Sequence, residues 1–531
     1  MDRIKTPSPG AAGATQFDVA GRSDVHLLHS KAVGLMGVLF LTVTGAAPIS
    51  AMLFNVPVAV GYGNGIGAPA AFLVATIILL IFSVGYAAMA SKVTAVGGFY
   101  SFISHGLGRE AGMAFGFGSV VAYSVFEASL CGGFAYFANL DLKQWLGIDV
   151  PWPFLALFMV VAISVLTYFD VKLSSAILGV ALIGEVAILT VFAVGVFAHA
   201  GTDAHVQAAA INPINAFIGF PAHEKLAAGA AGIGLFFAFW SWVGFEMAPN
   251  YAEESRDPKR IVPLSLYISV LSLGIFYTLV SWAAVSGYAS TDDAVSQAQT
   301  NSAAFFFDPA TRLIGPWVTT LMSILILTGA FACGMAFHNT AARYLYSLGR
   351  ERVLPSALGR THPVHRTPHI ASFTQSVIAA IIVLLFAIFG GTNDPNTQAY
   401  LELYGLMALV GTILIVAAQA VVSLAIISYF RTHHPEDHHW WRTLVAPLIA
   451  FVAQVVVLYL CIANMDFLGG GFQLADWIVW IDLAVLAVGI LGALYFKYMD
   501  PKKYEQIGRL IYEGLPDGML ADAERAQPAR R

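Results

Sequence analysis

The sequence predicts an all-α integral membrane protein with twelve transmembrane helices. Of its 531 residues, 58% are hydrophobic and 11% charged, and the mean hydropathy is +0.73. A soluble domain cannot cover that much apolar side chain. Apolar windows without charge clusters recur along the whole chain, each near the ~20 residues that carry a helix across ~30 Å of hydrocarbon. Two of these windows, the first at its centre, are interrupted by glycine and proline, which a lipid-facing helix does not tolerate.

In order, the twelve windows are 34–54, 68–91, 112–139, 153–169, 174–199, 228–249, 262–287, 314–346, 370–389, 400–429, 443–464 and 476–497. A polar stretch precedes the first, with no short apolar core and small-residue cleavage site, so no removable signal peptide is expected. A cytoplasmic amino terminus puts both termini and the even-numbered loops inside. All of the 27 Lys and Arg residues except Lys143, Lys225 and Arg312 then lie on that side. Positively charged loops resist translocation, so this imbalance sets the orientation, whereas the formal net charge of -5 does not. The expected setting is a lipid bilayer, the plasma (inner) membrane, with both termini cytoplasmic.

No soluble domain of any size is left over. Cys131, Cys333 and Cys461 fall inside windows and read as packing residues rather than disulfide partners. The run HHPEDHHWW, His433 to Trp441, carries metal-ligating side chain types but reads as a solvated loop with interfacial tryptophans. No G-x-x-x-x-G-K-[ST] run cradles a phosphate and no H-E-x-x-H arrangement is present, so neither nucleotide hydrolysis nor another enzyme activity is supported. No cofactor, metal or nucleic-acid partner is expected.

The interruptions are TGAAPIS in span 1, Thr44 to Ser50, and GFEMAP in span 6, Gly244 to Pro249. Proline lacks a backbone donor and clashes with the preceding turn, and Pro48 should push Ala47 away from helical geometry. A five-plus-five inverted repeat pairs spans 1 and 6. Broken backbone at membrane depth must be buried in protein or line a watery cavity, so the two breaks together propose a cavity between these spans. Read singly, either could be a kink.

The stretch FFAFWSWVGFEMAPNYAEESRDPKRIVP, Phe236 to Pro263, closely resembles a signature of the amino acid/polyamine/organocation superfamily of permeases. FHNTAARYLYSLGRERVLP, Phe337 to Pro355, followed by HRTPHIA, is similar to a second signature of that superfamily. The resemblance runs along nearly the whole chain. It implies the LeuT-type fold: a first repeat over 34–199, a second over 228–429, peripheral helices over 443–497, and tails at 1–33 and 498–531. It also implies a secondary transporter that moves amino acids or related amines by alternating access. Many family members work by proton symport and others by exchange, and a proton-independent exchanger or a non-transporting sensor with this fold is the alternative. Trp240 matches an aromatic that closes over substrate, and Glu246 matches an acid of the interrupted segment. TGAAPIS departs from the Gly-Ser-Gly-Ile type break of many members, because Pro48 offers no donor to a substrate carboxylate.

A zwitterion entering a low-dielectric cavity needs partners for both charges, and half-helix ends supply them through backbone. Thr44, Gly45, Ala46 and Ser50 are assigned to the carboxylate, together with the N–H groups of Ile49 and Ala51. Trp240, Ser241, Gly244 and Glu246 are assigned to the ammonium, and Glu246 is also expected to pin the unwound segment. Ionisable residues inside spans are functional suspects because each is expensive there. Glu185 in span 5 has apolar sequence neighbours on both sides. It is read as the carrier of a coupling proton or as a protonated acid bonded to a carbonyl of span 1 or 8. Glu127 in span 3 is read either as the receptor of a cationic amine or as a helix-to-helix hydrogen bond. His338 in span 8 is a packing group or a proton relay. Arg343 is expected to snorkel to the interface, Glu402 to be hydrated, and the AEESRDPKR run to form exposed, weak pairs.

Overall fold

The structure is a computed structural model that describes Leu28 and residues 33–508, apart from Ala95, 169–170 and 219–230. The tails at 1–27 and 509–531, and Lys225, lie outside the described residues. Among the described residues, ten helices are long and apolar enough to cross a membrane. They are α1 (Leu35–Asn64), α2 (Ala68–Ala90), α3 (Arg109–Leu146), α5 (Val171–Ala198), α7 (Pro258–Ser286), α8 (Pro316–Arg350), α9 (His369–Phe389), α10 (Gln398–Thr432), α11 (Trp440–Ala463) and α12 (Ala475–Met499). The other two expected spans are shorter or divided. α4 is a 17-residue apolar helix, Trp152–Tyr168. α6 (Ala231–Trp240) stops at a turn and is followed by a separate short helix, Phe245–Tyr251.

α1 breaks where the proline requires it. Thr44–Ala46 close a tight turn, Ala47 takes left-handed angles (φ 45°, ψ 71°), and Pro48 opens a new helical segment at the position where a missing N–H does no harm. Ala47 thus leaves the right-handed region, as the following proline demands, and enters one that costs a non-glycine residue roughly 1–2 kcal/mol. In the other broken span Gly244 holds φ 122°, a conformation for which glycine is suited.

The broken helices meet backbone to backbone. A Cβ added to Gly244 would lie 2.3 Å from the carbonyl carbon of Gly45. Around this crossing, α3 packs along α8, α4 and α9 close the outer side of that pair, and α5 and α7 cover α1. α12 packs on α3, and α11 packs on α10 and α2. Small residues permit the tightest approaches: a Cβ on Gly329 in α8 would lie 2.5 Å from Ile49 and 3.0 Å from the carboxyl carbon of Glu185.

The face at which α1 begins is closed by buried charge. Val33 exchanges backbone hydrogen bonds with the segment after α6, its N–H donating to Glu254 O (2.9 Å) and its carbonyl accepting from Arg256 N (3.0 Å). Arg343 does not snorkel. It donates from Nε and Nη2 to Glu254 Oε2 at 2.9 and 2.7 Å, and its guanidinium lies 4.4 Å from the Tyr251 ring centroid. Arg350 grips both oxygens of Glu253 at 2.9 and 2.6 Å. The acidic pair of AEESRDPKR is therefore buried, because α8 supplies a guanidinium to each carboxylate that its own loop does not. Glu402 is buried too, since its Oε2 accepts from Gly391 N at 2.8 Å and so ties the loop before α10. On the same face as the ion pairs, the short helix Pro501–Gln506 folds back. Tyr504 donates to Glu110 (2.8 Å), and Gly508 N donates to Tyr100 Oη (3.0 Å) and Glu351 (3.1 Å).

Candidate functional site

A small cavity lies at the crossing of the two breaks. It is lined by Gly45, Ala46, Ala47, Ser50, Ala51 and Asn55 of α1, and by Trp240, Ser241 and Val243 at the end of α6. Phe126 and Leu130 of α3, Cys333 and Phe337 of α8 and Tyr404 of α10 complete it. Its volume of about 30 Å³ leaves room for about two water molecules. No ionised side chain lines it.

Polar groups enter in three ways. Asn55 Nδ2 donates to Ser241 Oγ at 2.8 Å, and Ser241 Oγ donates in turn to Phe237 O. Tyr404 Oη lies 3.4 Å from Asn55 Oδ1, and its ring stacks on Trp240 with centroids 5.4 Å apart. This cross-link ties α1, α6 and α10 on one side of the cavity. Carbonyls freed before the first break supply the second set: Gly45 O accepts from Cys333 Sγ (3.3 Å) and Ala46 O from Tyr277 Oη (2.7 Å). The third is the Ser50 hydroxyl, buried with no protein partner.

This geometry reverses one assignment. Thr44, Gly45 and Ala46 precede the break, so they end a half-helix and offer carbonyl oxygens, which suit an ammonium rather than a carboxylate. Two of the three donors expected after the break are also already used. Ile49 N–H donates to Glu185 Oε2 at 3.1 Å, and Ala51 N–H donates to Ala47 O at 2.7 Å.

Of the ten residues expected at the substrate, Gly45, Ala46, Ser50, Trp240 and Ser241 line the cavity. Thr44, Ile49, Glu127, Gly244 and Glu246 do not. Thr44 turns its hydroxyl to Leu178 O (3.4 Å). Glu246 spends both oxygens on the protein: Oε2 accepts from Gly244 N (2.9 Å) and Oε1 from Tyr123 Oη (2.9 Å), while its own carbonyl accepts from Tyr86 Oη (3.2 Å). Its carboxylate pins the break, with each oxygen accepting one hydrogen bond from the protein. Glu127 is not among the lining residues: it lies about 100° round α3 from Phe126, where His338 and Gln375 bind it. Glu185 is fully buried between α1 and α8, and its Oε1 has no protein partner.

Asn55, Tyr404 and Tyr277 are additions that the sequence reading missed. Asn55 carries a signal, a lone amide in the apolar run AMLFNVPVAV. The tyrosines carry none, because their partners are more than 200 residues away along the chain.

A helical multi-span membrane protein whose buried site lies between two broken helices belongs to the permease class by architecture. The amino acid permease family model matches residues 33–496, and the chain belongs to that family of membrane permeases. It is 23% identical over 500 residues to the branched-chain amino acid permease BcaP of Bacillus subtilis, covering 90% of this chain and 92% of that protein. An uncharacterized transporter of Rhizobium meliloti is 30% identical over 321 residues, 59% of this chain and 63% of its own. The low-affinity putrescine importer PlaP of Escherichia coli is 22% identical over 330 residues, 59% of this chain and 66% of its own. A permease family defines a transporter rather than an enzyme.

Proposed function

We propose that this chain is a secondary transporter that moves amino acids or related amines by alternating access, as a proton symporter. Its ten core helices form two inverted repeats of five in the LeuT-type arrangement, with α11 and α12 peripheral, twelve spans in all. Both termini face the cytoplasm, and the protein sits in the plasma (inner) membrane. The contact of two broken helices around a buried cavity carries this reading, because irregular backbone at that depth is tolerated where it serves a polar site. The printed activities of relatives, branched-chain amino acid permease and putrescine importer, agree with a small nitrogenous solute.

Within that range a neutral amino acid fits best. The lining has no carboxylate for a second ammonium, and Phe126, Leu130, Val243 and Phe337 offer an apolar side chain its surroundings. The freed carbonyls of Gly45 and Ala46 suit the ammonium, and the Ser50 hydroxyl is free to donate to the carboxylate. Glu185 is the coupling residue of this reading. Its carboxyl holds the Ile49 N–H next to the site, and its second oxygen is free to carry a proton.

The deciding experiment begins with a thermal-shift screen of the purified protein against amino acids and amines, since a ligand selective for the native state raises its apparent stability. Hits go into proteoliposomes for labelled uptake with and without a pH gradient. Accumulation that the gradient drives is the expected result, and Glu185→Gln should lose that response. Uptake that ignores the gradient would make the protein an exchanger, and saturable binding without flux would make it a sensor.

A further inference from the structure

Behind the substrate cavity, on the same two helices, lies a second polar site. Phe126 of α3 and Phe337 of α8 line the cavity with rings stacked 4.8 Å apart at 15°. One residue further on each helix, roughly 100° round, come Glu127 and His338, both fully buried. They meet in the space closed by α4 and α9.

Every polar atom there has a defined partner. His338 Nδ1 lies 3.0 Å from both oxygens of Glu127. Gln375 Nε2 donates to Glu127 Oε2 at 2.8 Å, and Ser124 Oγ donates to Gln375 Oε1 at 2.6 Å, which fixes the amide with its N–H toward the glutamate. On the other side, His338 Nε2 lies 2.8 Å from Ser372 Oγ, which lies 3.1 Å from Thr167 Oγ1. Thr167 gives its own proton to Ile163 O at 2.8 Å.

Counting donors separates two protonation states. With the Thr167 proton spent on Ile163, only the Ser372 hydroxyl can supply the hydrogen of the Ser372–Thr167 contact. Ser372 then accepts from His338 Nε2–H, and one more proton lies between Nδ1 and Glu127. All contacts are satisfied, and the pair is neutral overall. If Nε2 releases its proton, Ser372 turns its hydroxyl to donate to Nε2, and Nδ1–H stays on Glu127. The pair then carries one net negative charge between α3 and α8, and only the Ser372–Thr167 contact loses its hydrogen. Rotation of one hydroxyl therefore accommodates the gain or loss of one proton.

Other titratable groups near the pair are few. Cys131 lies one turn along α3, and Tyr123 one turn the other way is bonded to Glu246. α9 contributes His369, whose ring centroid is 6.5 Å from that of Tyr168 at the end of α4. The ionisable members of the network are Glu127 and His338. Thr167 is the last residue of α4 before the partly exposed Tyr168, so the chain from His338 leads toward the face at which α1 begins.

We propose that Glu127 and His338 form a proton-binding site, filled and emptied through Ser372 and Thr167, whose occupancy sets the packing of Phe126 on Phe337 at the substrate cavity. The coupling part of this proposal rests on the transporter reading above; the proton site itself does not.

The test has two arms on the full-length protein. In detergent, an acid step from about pH 8 to about pH 5 spans the range in which histidine sites exchange protons. The double variant Glu127→Gln/His338→Gln should take up about one proton fewer than the parent. Ser372→Ala removes the hydroxyl that serves Nε2 in both protonation states and links it to Thr167, and should slow proton exchange at the site by about tenfold. An unchanged proton count in the double variant, or an unchanged exchange rate in Ser372→Ala, overturns the site. In proteoliposomes with labelled L-leucine as probe, gradient-driven accumulation by Ser372→Ala should fall about tenfold further than counterflow does. Equal loss of the two modes would mean a structural role and overturn the coupling. If the parent moves no solute from the screen in either mode, the transporter reading fails, while the proton count still decides the site.

Discussion

Glu246 illustrates how a single side chain holds a broken helix. Its carboxylate takes the Gly244 N–H that the break would otherwise orphan, and it also anchors Tyr123 of α3. Glu246→Ala should leave two buried donors without partners, at about 1–3 kcal/mol each, and lower the thermal unfolding midpoint accordingly. Glu246→Gln keeps one carbonyl acceptor and should lose about half as much. Equal midpoints for the alanine variant and the parent would show that the break does not need its pin. The pinning role could be read from the sequence, because an acid inside GFEMAP has orphaned donors within two residues. The direction of the first break could not. TGAAPIS marks where the helix stops, but which of its groups are donors depends on which half-helix each residue ends in.

At the level of elements, the spans could be read nearly to their ends, because twenty-residue apolar windows in a membrane chain have few alternatives to helix. The departures from regular helix sit at Gly and Pro, whose backbone limits are local. What was hidden was pairing between elements. Arg343 near a helix end looks like a snorkelling side chain until the loop after α6 brings Glu254 to it, 89 positions earlier in the chain. Gly244→Ala tests the element crossing. Both its positive φ and its 2.3 Å approach to Gly45 forbid a methyl group, so we expect loss of folded protein or of transport. Gly147→Ala is the control: it also has positive φ (69°) but open space around the Cβ, and should cost only about 1 kcal/mol of backbone strain.

For the whole molecule, the face at which α1 begins is held shut by the two buried pairs, the Val33 clip and the docked segment ending at Gly508. Arg343→Met should destabilise this closed form by about 3–5 kcal/mol, because it removes one partner of a buried ion pair. Arg343→Met/Glu254→Met should recover most of that loss, and thermal unfolding of the three proteins measures it. A double variant no more stable than the single one would mean that the pair contributes more than charge balance. In the proposed alternating-access cycle, opening on this side would require two ion pairs to separate into water together.

The cavity at the crossing, with room for about two waters, has an electrical consequence. At that size the cavity itself holds no continuous file of water or ions. In the proposed transport cycle any current across the bilayer is therefore metered by the rate at which the helices rearrange.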